Sequence, residues 1–442
     1  MVKETVLNIG FDDTDSPKGM CTTFLAYKIV DLLQKEKTEF LDFPRLIRFN
    51  PNIPWKTRGN GAVSIRIKTK NPFQVKSQIK NLVTKYSNIQ NGANPGLVFF
   101  ESDLIPSEFI EFSNLALWQL INRNKAKTFA KKNNLDVFYQ GNGQGLVGAI
   151  GAIGYDFHDH TLELLSYRKK PKFGKKRKIS VQSVKNMQEQ TFPNTFNSFD
   201  TKKGRVLITP HGPDPVFYGV RGENVDSLVC ATKILKNNEK LDGYMIFKSN
   251  QGTDDHLKNE LNLETMKPYA SGKLTGIVSN LPKIVKGGHV FFKILSQNHE
   301  FWCAVYKPTG MSTIASNLIK GDKICVGGGV RKASKNFPRI INLEFIEIIN
   351  LKKNILTSNP SCTNCNKKMK SKGKNQGFQC IRCGKKSSSK MITETSRKIQ
   401  KKLYLPKMSA HRHLTRPLQR QGITNKTADF DQSLLWFCIY RN

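Results

Sequence analysis

The chain has 442 residues, with 71 lysines and arginines against 34 aspartates and glutamates, a formal net charge of +37. This excess is larger than solubility requires and predicts a polyanionic partner, with a nucleic acid backbone favoured over one small acidic substrate. The sequence contains no run of about 18 apolar residues and no secretory signal. These features argue against a membrane-spanning or secreted protein and predict a cytoplasmic location.

The first element is an apolar run, residues 5–11, which predicts a buried strand that ends in an acidic loop. The carboxylates of that loop are Asp12, Asp13 and Asp15. Because carboxylates so close together repel each other strongly, the loop predicts a Mg²⁺ site with a bound nucleotide triphosphate. Thr22, at the start of the next helix, would meet phosphate oxygens. The alternative is an Asx-rich turn that only caps this helix.

The periodicity that follows predicts a helix over residues 24–33 and strands over 45–49, 62–68 and 97–100, so residues 1–124 are predicted to form an α/β domain. One loop of this domain combines basic side chains with permissive glycines. Its candidate phosphate-binding residues are Lys56, Arg58, Gly59 and Gly61. The chain has no Walker loop and no kinase HRD or DFG string, so phosphoryl transfer requires a nonstandard site.

A second α/β unit is predicted over residues 125–240. It begins with a basic bridge and a Gly-rich string at 140–145, which is weak evidence for a phosphate loop. Strands are predicted at 161–167 and 206–209 and a helix at 224–235. Between the two strands lies a lysine-rich loop, and then a Ser-, Asn- and Gln-rich stretch typical of disorder.

A Pro- and Gly-rich turn over residues 209–223 predicts a rigid loop, which is a good platform for binding groups. Asp214 and Glu223 are candidate ligands for a cation, and Tyr218 is a candidate to stack against it. His211 is either a base or, more commonly for such a residue, a satisfied turn histidine.

From residue 241 the pattern changes to short strands, predicted at 272–278, 289–294, 301–306, 323–327 and 340–348. Five such strands suggest a small β-barrel over residues 241–352. In a basic chain the oligonucleotide-binding OB fold is the leading interpretation, and an unrelated all-β domain is the alternative.

Two CxxC pairs predict a metal site within residues 353–390. The four ligands are Cys362, Cys365, Cys380 and Cys383. Their spacing is that of a zinc ribbon, and four thiolates leave no open coordination position, so this Zn²⁺ is predicted to be structural. The lysines around it predict a surface that grips nucleic acid phosphates, or else simply a solvated basic face. A basic tail, residues 391–442, completes the chain.

Four long strings resemble the archaeal tRNA-isoleucine agmatidine synthetase family, and they occur in that family's order. They are GFDDTDSPKGMCTT, FPRLIRFNPNIPWKTRGNGAV, GPDPVFYGVRGE and NQGTDDHL, followed by the CxxC pairs. The resemblance implies a multidomain α+β protein with an ATP-using kinase-like domain, a ferredoxin-like domain, an OB fold and a zinc ribbon. These match the divisions drawn above.

The resemblance also implies the activity. The family uses ATP to attach agmatine to C2 of the wobble cytidine in the CAU anticodon of an isoleucine tRNA. ATP would phosphorylate the C2 carbonyl oxygen, the agmatine amine would then displace the phosphate, and ATP would end as AMP. A noncatalytic RNA-binding protein built on the OB fold and ribbon is the rival interpretation.

For the site, the resemblance implies that Asp12, Asp13 and Asp15 hold Mg²⁺ and orient the triphosphate. Thr22 matches the family's autophosphorylated threonine. By their chemistry, Lys56 and Arg58 are predicted to balance transition-state charge. Asp214 is the first choice for the agmatine cation, with Glu223 second.

Overall fold

A computed structural model describes residues 4–335, 338–426 and 430–440 of the chain. The described residues fall into two compact units. The first runs through Lys273 and also takes in Gly327–Glu344 and the segment that starts at Leu405, while the second consists of Leu274–Val326 and Phe345–Tyr404. The predicted multidomain α+β class is confirmed.

The helices and strands follow in chain order. The helices are α1 (Thr22–Lys35), α2 (Pro72–Tyr86), α3 (Ser107–Trp118), α4 (Arg123–Lys132), α5 (Leu146–Gly154), α6 (Val181–Thr191), α7 (Val225–Ile234) and α8 (Ser312–Ser316). The strands are β1 (Thr5–Asp12), β2 (Glu39–Phe40), β3 (Arg45–Arg48), β4 (Gly61–Thr69), β5 (Gly96–Glu101), β6 (Asp136–Tyr139), β7 (Thr161–Arg168), β8 (Thr195–Phe196), β9 (Phe199–Asp200), β10 (Arg205–Val206), β11 (Val216–Gly222), β12 (Leu241–Ser249), β13 (Ser271–Val278), β14 (Lys283–Val285), β15 (His289–Ser296), β16 (His299–Val305), β17 (Lys323–Arg331), β18 (Ile340–Asn350), β19 (Asn354–Ser358), β20 (Lys370–Ser371), β21 (Phe378–Gln379), β22 (Lys386–Ser387), β23 (Met391–Thr395), β24 (Leu403–Tyr404) and β25 (Phe437–Ile439).

The first unit is organised by an 11-stranded sheet in the order β6-β5-β1-β4-β3-β12-β7-β11-β8, with β2 paired to β4 and β25 paired to β12. β1 lies antiparallel to both β4 and β5, while β3 and β12 pair in parallel. The sheet continues across the predicted boundaries at 124/125 and 240/241. Strand pairing therefore marks no break there, and the domain limits stay predictions.

Two hydrophobic clusters cover the two faces of this sheet, and β5 shows how the chain divides between them. Leu97 and Phe99 belong to the cluster that contains α1 and α2, whereas Val98 packs in the cluster formed with α3, α4 and α5. Successive side chains of a strand point to opposite faces, so an almost continuous apolar run can serve both. The end of β1 consequently lies between two packed layers.

The prediction of disorder for the Ser-, Asn- and Gln-rich stretch is wrong, because this segment contains α6, β8 and β9. The Ser180 side chain caps the helix by accepting a hydrogen bond from the Ser183 amide. Val184 and Met187, three residues apart, are both fully buried. The polar composition of this segment obscured its helix, because a helix that buries only a narrow apolar stripe can be polar over most of its surface.

The predicted β-barrel is confirmed as a closed one. Strands β13, β17, β18, β16 and β15 pair in that order, and an additional pairing of β13 with β15 closes the five-stranded ring. Two further strands pair with strands of this ring: β14 pairs antiparallel with β15, and β24 pairs antiparallel with β18. Each of the five predicted strands corresponds to one strand of the barrel.

Two small sheets follow the barrel in sequence, and both lie in the second unit. β19 and β23 pair as a two-stranded antiparallel ribbon, and between them in sequence lies a three-stranded sheet in the order β20-β21-β22. This second sheet carries the cysteine pairs. Throughout the part of the chain that the structure describes, no helix has the length and apolar character needed to cross a membrane.

Candidate active site

The acidic loop follows β1 directly and is shaped by unusual backbone conformations. Asp13 and Met20 have positive φ angles of 56° and 63°. Between them, Ser16 and Gly19 exchange two backbone hydrogen bonds of 3.0 and 3.1 Å, which closes a tight turn. Cys21 then precedes the first residue of α1. The predicted order of strand, acidic loop and helix is therefore present.

This loop lines a cavity of 610 Å³ within the first unit. Most of the residues predicted for the nucleotide and substrate sites contribute to its wall. They are Asp12, Asp13, Asp15, Thr22, Lys56, Arg58, Gly59, Gly61 and Asp214. Residues that lie far apart in sequence therefore converge on one space, as a single reaction site requires.

Burial and mutual repulsion make the loop carboxyls hard to ionise. Burial, with the added charge of Asp13, raises the pKa of Asp12 well above its usual range. Burial and the charge of Asp15 raise the pKa of Asp13 to about 7. Burial also raises the pKa of Asp15, although Arg58 opposes that shift. Such shifts are characteristic of functional sites, and a bound cation would reverse them.

The chemistry of this loop fits Mg²⁺, which prefers carboxylate oxygens. Within the described residues, however, the loop carboxylates do not form a group of three or more ligands close enough to hold a metal ion by themselves. The four cysteines do form such a group, with all their ligand atoms within 4.8 Å of one another. Mg²⁺ is commonly held by one or two carboxylates together with substrate phosphates. The loop thus fits a metal that arrives with a nucleotide.

Arg58 is already engaged with carboxylates. Its Nη1 lies 2.9 Å from Asp15 Oδ2, and its Nε lies 3.8 Å from Asp214 Oδ2. Asp15 also accepts a hydrogen bond of 2.9 Å from Thr57 Oγ1. Among the residues that the structure describes, the Ile53 carbonyl, at 3.3 Å, is the one hydrogen-bond acceptor of Lys56. Lys56 is therefore the freer of the two predicted phosphate-binding cations.

Thr22 is 4% exposed and accepts a hydrogen bond of 3.1 Å from Thr14 Oγ1. Thr22 is one of the residues that line the cavity. The predicted role of Thr22 as a phosphate acceptor stays a prediction.

Asp214 is held at the cavity wall by Arg177, a residue of the lysine-rich loop. Arg177 Nη2 lies 3.1 Å from Asp214 Oδ1, and the same guanidinium donates to the carbonyls of Pro210, Gly212, Asp214 and Val216. Asp214 is 2% exposed, and its second oxygen, Oδ2, accepts no hydrogen bond from the described residues. The cavity wall thus contains a buried carboxylate oxygen that a cationic ligand can satisfy.

The structure does not bring Tyr218 and Glu223 into this cavity. Tyr218 is 2% exposed and packs in the core against Phe217. Glu223 accepts hydrogen bonds from Arg420 Nε at 2.6 Å and Asn425 Nδ2 at 2.7 Å. In this arrangement neither residue contributes to the pocket that contains Asp214.

Residues outside the predicted nucleotide and substrate sites form another part of the wall. Glu163 lies 3.5 Å from Arg48 Nη2 and 3.4 Å from Arg221 Nε, and it also accepts a hydrogen bond from Gln251. Arg221 Nη2 donates to His413 Nδ1 at 2.8 Å. The four lining residues of this group, Arg48, Glu163, Arg221 and His413, come from four separate segments of the chain, so no local motif marks them as a group.

The same packing explains the two predicted glycines. A Cβ atom at Gly59 would lie 2.5 Å from a ring atom of His413, and one at Gly61 would lie 2.6 Å from Arg48 Nη1. Glycine is needed here because the loop passes directly over these side chains.

In the second unit the four cysteine sulfurs all lie within 4.8 Å of one another. A backbone hydrogen bond closes each CxxC turn: the Asn366 N–H donates to the Cys362 carbonyl, and the Gly384 N–H donates to the Cys380 carbonyl. Asn366 and Gly384 both have positive φ angles. Four convergent thiols fit tetrahedral Zn²⁺. The basic residues around them are exposed: Lys367, Lys368, Lys370, Lys372, Lys374, Arg382, Lys385 and Lys386.

Three family models match parts of the chain. They describe a TiaS TCKD domain at residues 8–73, a TiaS FLD domain at 143–256 and a TiaS C-terminal zinc ribbon domain at 359–399. The tRNA 2-agmatinylcytidine synthetase TiaS of Cenarchaeum symbiosum is 46% identical over 436 residues, which covers 99% of this chain and 97% of that protein. The chain belongs to the TiaS family. The predicted family is therefore confirmed.

Solved TiaS structures share the whole fold. A complex of TiaS with an isoleucine tRNA and ATP superposes with a TM-score of 0.85 at 34% identity, covering 94% of this chain and 97% of the TiaS chain. A complex of TiaS with an isoleucine tRNA, AMPCPP and agmatine gives 0.83 at 32% identity, covering 95% and 98%. The acidic loop lies within the TCKD match, Asp214 and Arg221 within the FLD match, and the four cysteines within the TiaS zinc ribbon match.

Proposed function

We propose that this chain is an ATP-dependent ligase that attaches agmatine to C2 of the wobble cytidine in an isoleucine tRNA with a CAU anticodon. The observation that carries the proposal is the full-length likeness to TiaS structures solved with an isoleucine tRNA, with ATP or AMPCPP, and with agmatine. That likeness does not favour the noncatalytic RNA-binding alternative. The net charge of +37 suits the tRNA partner.

The chemistry begins with the poor leaving group at C2 of cytidine. Transfer of a phosphoryl group from ATP to the C2 carbonyl oxygen converts that oxygen into a good leaving group. The agmatine amine then forms a C–N bond at C2 and loses a proton, while the C–O bond breaks and phosphate departs. AMP as the final nucleotide requires hydrolysis of a second phosphoanhydride bond.

Asp12, Asp13 and Asp15 are the proposed Mg²⁺-binding and triphosphate-orienting residues. Mg²⁺ bound there would neutralise phosphate charge, and the raised pKa values of Asp12 and Asp13 support a site that gains from a cation. Lys56 is free to meet phosphate oxygens. Arg58 reaches Asp15 and Asp214 at once, so it positions the acidic loop relative to the substrate wall.

Asp214 is the proposed anchor for the agmatine cation. Its Oδ2 is buried, lacks a hydrogen-bond partner among the described residues and lies in the cavity wall. A guanidinium or ammonium group placed against it would form a charge-assisted hydrogen bond. Glu223 and Tyr218 are left out of this pocket because their side chains are engaged elsewhere.

The finer fold names are also proposals. We assign residues 1–124 to a kinase-like domain, 125–240 to a ferredoxin-like domain and 241–352 to an OB fold, the last supported by the closed five-stranded barrel. The structural metal of the ribbon at 353–390 is Zn²⁺. The cytoplasmic location stays a prediction.

The test combines ATP, Mg²⁺, an isoleucine tRNA transcript and labelled agmatine. We expect label in the tRNA and a modified wobble cytidine after nuclease digestion and mass spectrometry. Asp13→Asn should abolish incorporation, whereas Asp31→Asn, in an exposed ion pair with Lys35 on α1, should not. Label that never enters the tRNA with the wild-type chain would refute the proposal.

A further inference from the structure

Two residues of the cavity wall, Asn197 and His411, carry polar atoms that no described protein group satisfies. Neither residue has a role in the phosphate or agmatine subsites argued above. A buried polar group without a partner is costly, and a ligand that completes its hydrogen bonds recovers that cost.

Asn197 lies in the turn between β8 and β9, with a φ of 55° and 8% exposure. Its Oδ1 is buried without a partner, and within the described residues its Nδ2 makes no hydrogen bond either. The carboxamide therefore offers a free acceptor, Oδ1, and the two N–H donors of Nδ2. Left-handed backbone is tolerated by asparagine and often marks functional positions.

His411 offers a second free acceptor. Its Nε2 lies 3.0 Å from the Pro406 carbonyl, which can only accept, so Nε2 carries the proton. Burial, together with the charge of Arg221, lowers the pKa of His411 and keeps the ring neutral. The buried Nδ1 consequently has a lone pair and no partner.

The two residues have a common neighbour. That neighbour is Arg221. It pairs with Phe196, the residue before Asn197, between β8 and β11, and its positive charge lowers the pKa of His411. Arg205 also lines the cavity. The negative charge of Asp200 opposes the effect of Arg221 on the pKa of His411. The positive charges of Arg205 and Arg221 disfavour a cationic ligand here, whereas Asp214 provides a carboxylate for one.

We propose that Asn197 and His411 read the Watson–Crick edge of the wobble cytidine after it leaves its stack, an inference that rests on the proposed function. Beside the reacting O2, cytosine presents the N4 amino group as a donor and N3 as an acceptor. The wall presents two acceptors, Asn197 Oδ1 and His411 Nδ1, and the amide donor group Asn197 Nδ2. The protein acceptors suit the N4 amino group, and Asn197 Nδ2 suits N3.

Uridine reverses this pattern, since it presents the O4 acceptor in place of the N4 amino group and the N3–H donor in place of the N3 acceptor. Bound in the same place, it leaves at least one buried acceptor unpaired on the protein and one on the base. Sites built to hydrogen-bond a substrate group discriminate strongly against analogues that lack it. The pair therefore makes the modification specific for cytidine.

The decisive experiment pairs protein variants with a base analogue. A tRNA that carries 2-pyrimidinone at the wobble position lacks only the exocyclic amine, and the wild-type enzyme should use it with a kcat/KM roughly 10- to 100-fold below that for cytidine. In Asn197→Gly, which keeps the left-handed backbone without the side chain, that difference should fall below about threefold. His411→Phe should also reduce the difference in kcat/KM between cytidine and 2-pyrimidinone.

Controls separate the possible causes. Asn134→Gly replaces an exposed asparagine of φ 49° outside the cavity and should match the wild type in both activity and melting temperature. If Asn197→Gly fails to fold, Asn197→Asp, which keeps the shape but loses the Nδ2 donor, should lower kcat/KM for cytidine about tenfold.

The outcomes are distinct. Full discrimination against 2-pyrimidinone in Asn197→Gly would overturn the proposal, and so would a raised KM for agmatine with unchanged base discrimination, because the pair would then bind agmatine. A wild-type enzyme that incorporates agmatine but does not distinguish 2-pyrimidinone from cytidine refutes this subsite alone. No incorporation at all refutes the proposed function instead.

Discussion

Arg58 and Asp15 form an ion pair in which Nη1 lies 2.9 Å from Oδ2. The same guanidinium extends to Asp214 and also donates to the Met20 carbonyl at 2.7 Å. One side chain therefore connects the acidic loop, the turn before α1 and the substrate wall. The forked geometry of arginine makes this possible, and a lysine can form only part of it.

We predict that Arg58→Lys lowers kcat/KM for tRNA agmatinylation at least tenfold and that Arg58→Ala lowers it about 100-fold, since both misplace the acidic loop. The measurement is single-turnover incorporation of labelled agmatine. Lys37→Ala is the matched control, because Lys37 is an exposed basic residue with a φ of 55°. Equal activity of Arg58→Lys and the wild type would show that charge alone suffices.

The parts of the site that the sequence predicts are local in the chain. The three acidic residues follow a buried strand within four positions, and the four cysteines lie in two short pairs, so hydrophobic pattern and spacing identify both. The barrel strands were predictable for the same reason. By contrast, Arg48, Arg221 and His413 meet only through the pairing of distant strands and the return of the C-terminal segment.

Strand β11 shows why the substrate wall was harder to predict. Its register against β7 shifts between Val216 and Tyr218. Beyond this irregularity Gly219 and Arg221 line the cavity, while Tyr218 and Val220 are buried outside its wall. Alternation assigns residues to faces only if no bulge intervenes, and the sequence does not reveal the bulge.

A pH dependence of stability follows from Glu344, which is buried beside His256 and Arg412. Its Oε2 lies 2.9 Å from His256 Nε2, and its Oε1 lies 3.1 Å from Arg412 Nε. Burial by itself would raise the pKa of Glu344, but the charges of His256 and Arg412 outweigh it and hold the pKa below its usual range. The folded state therefore favours the ionised form.

Because the folded pKa lies below the unfolded one, this carboxylate stabilises the fold above the ordinary glutamate pKa of about 4.3, and the contribution disappears as the pH falls through the folded pKa. Urea unfolding should show Glu344→Gln less stable than the wild type at pH 7, with the gap closing below about pH 4. A gap that does not change with pH would contradict the ion-pair origin.

The zinc ribbon should affect tRNA binding without affecting the small-molecule site. We expect Cys365→Ser to lose the metal and to raise the KM for tRNA at least tenfold, because the exposed lysines lose their ordered framework. The KM for agmatine should stay unchanged, since the residues lining the cavity belong to the first unit. Elemental analysis and steady-state kinetics provide the measurements.

Cys230→Ser is the control for the zinc prediction, because Cys230 is an exposed free thiol outside the cysteine set. It should retain both the metal and the tRNA affinity. A Cys365→Ser protein with full zinc content, or with an unchanged KM for tRNA, would contradict the assigned role.

Arg420, whose side chain is 1% exposed, fastens the C-terminal segment to the remainder of the first unit. Arg420 Nε lies 2.6 Å from Glu223 Oε1, and Nη2 lies 3.1 Å from Asp159 Oδ1. Arg416 Nη2 lies 2.6 Å from the second oxygen of Asp159. Removing Arg420 would leave the buried Asp159 and the partly buried Glu223 with incomplete charge compensation.

Breaking such a buried pair costs about 3–5 kcal/mol, so Arg420→Ala should lower the free energy of unfolding by that amount. Arg123→Ala, at an exposed arginine of α4, should change it by less than about 0.5 kcal/mol. The same segment supplies His411 and His413 to the cavity, so the loss of Arg420 should also reduce agmatinylation at temperatures where the protein remains folded. Equal stability of Arg420→Ala and Arg123→Ala in urea would show that the segment is held by its apolar contacts alone.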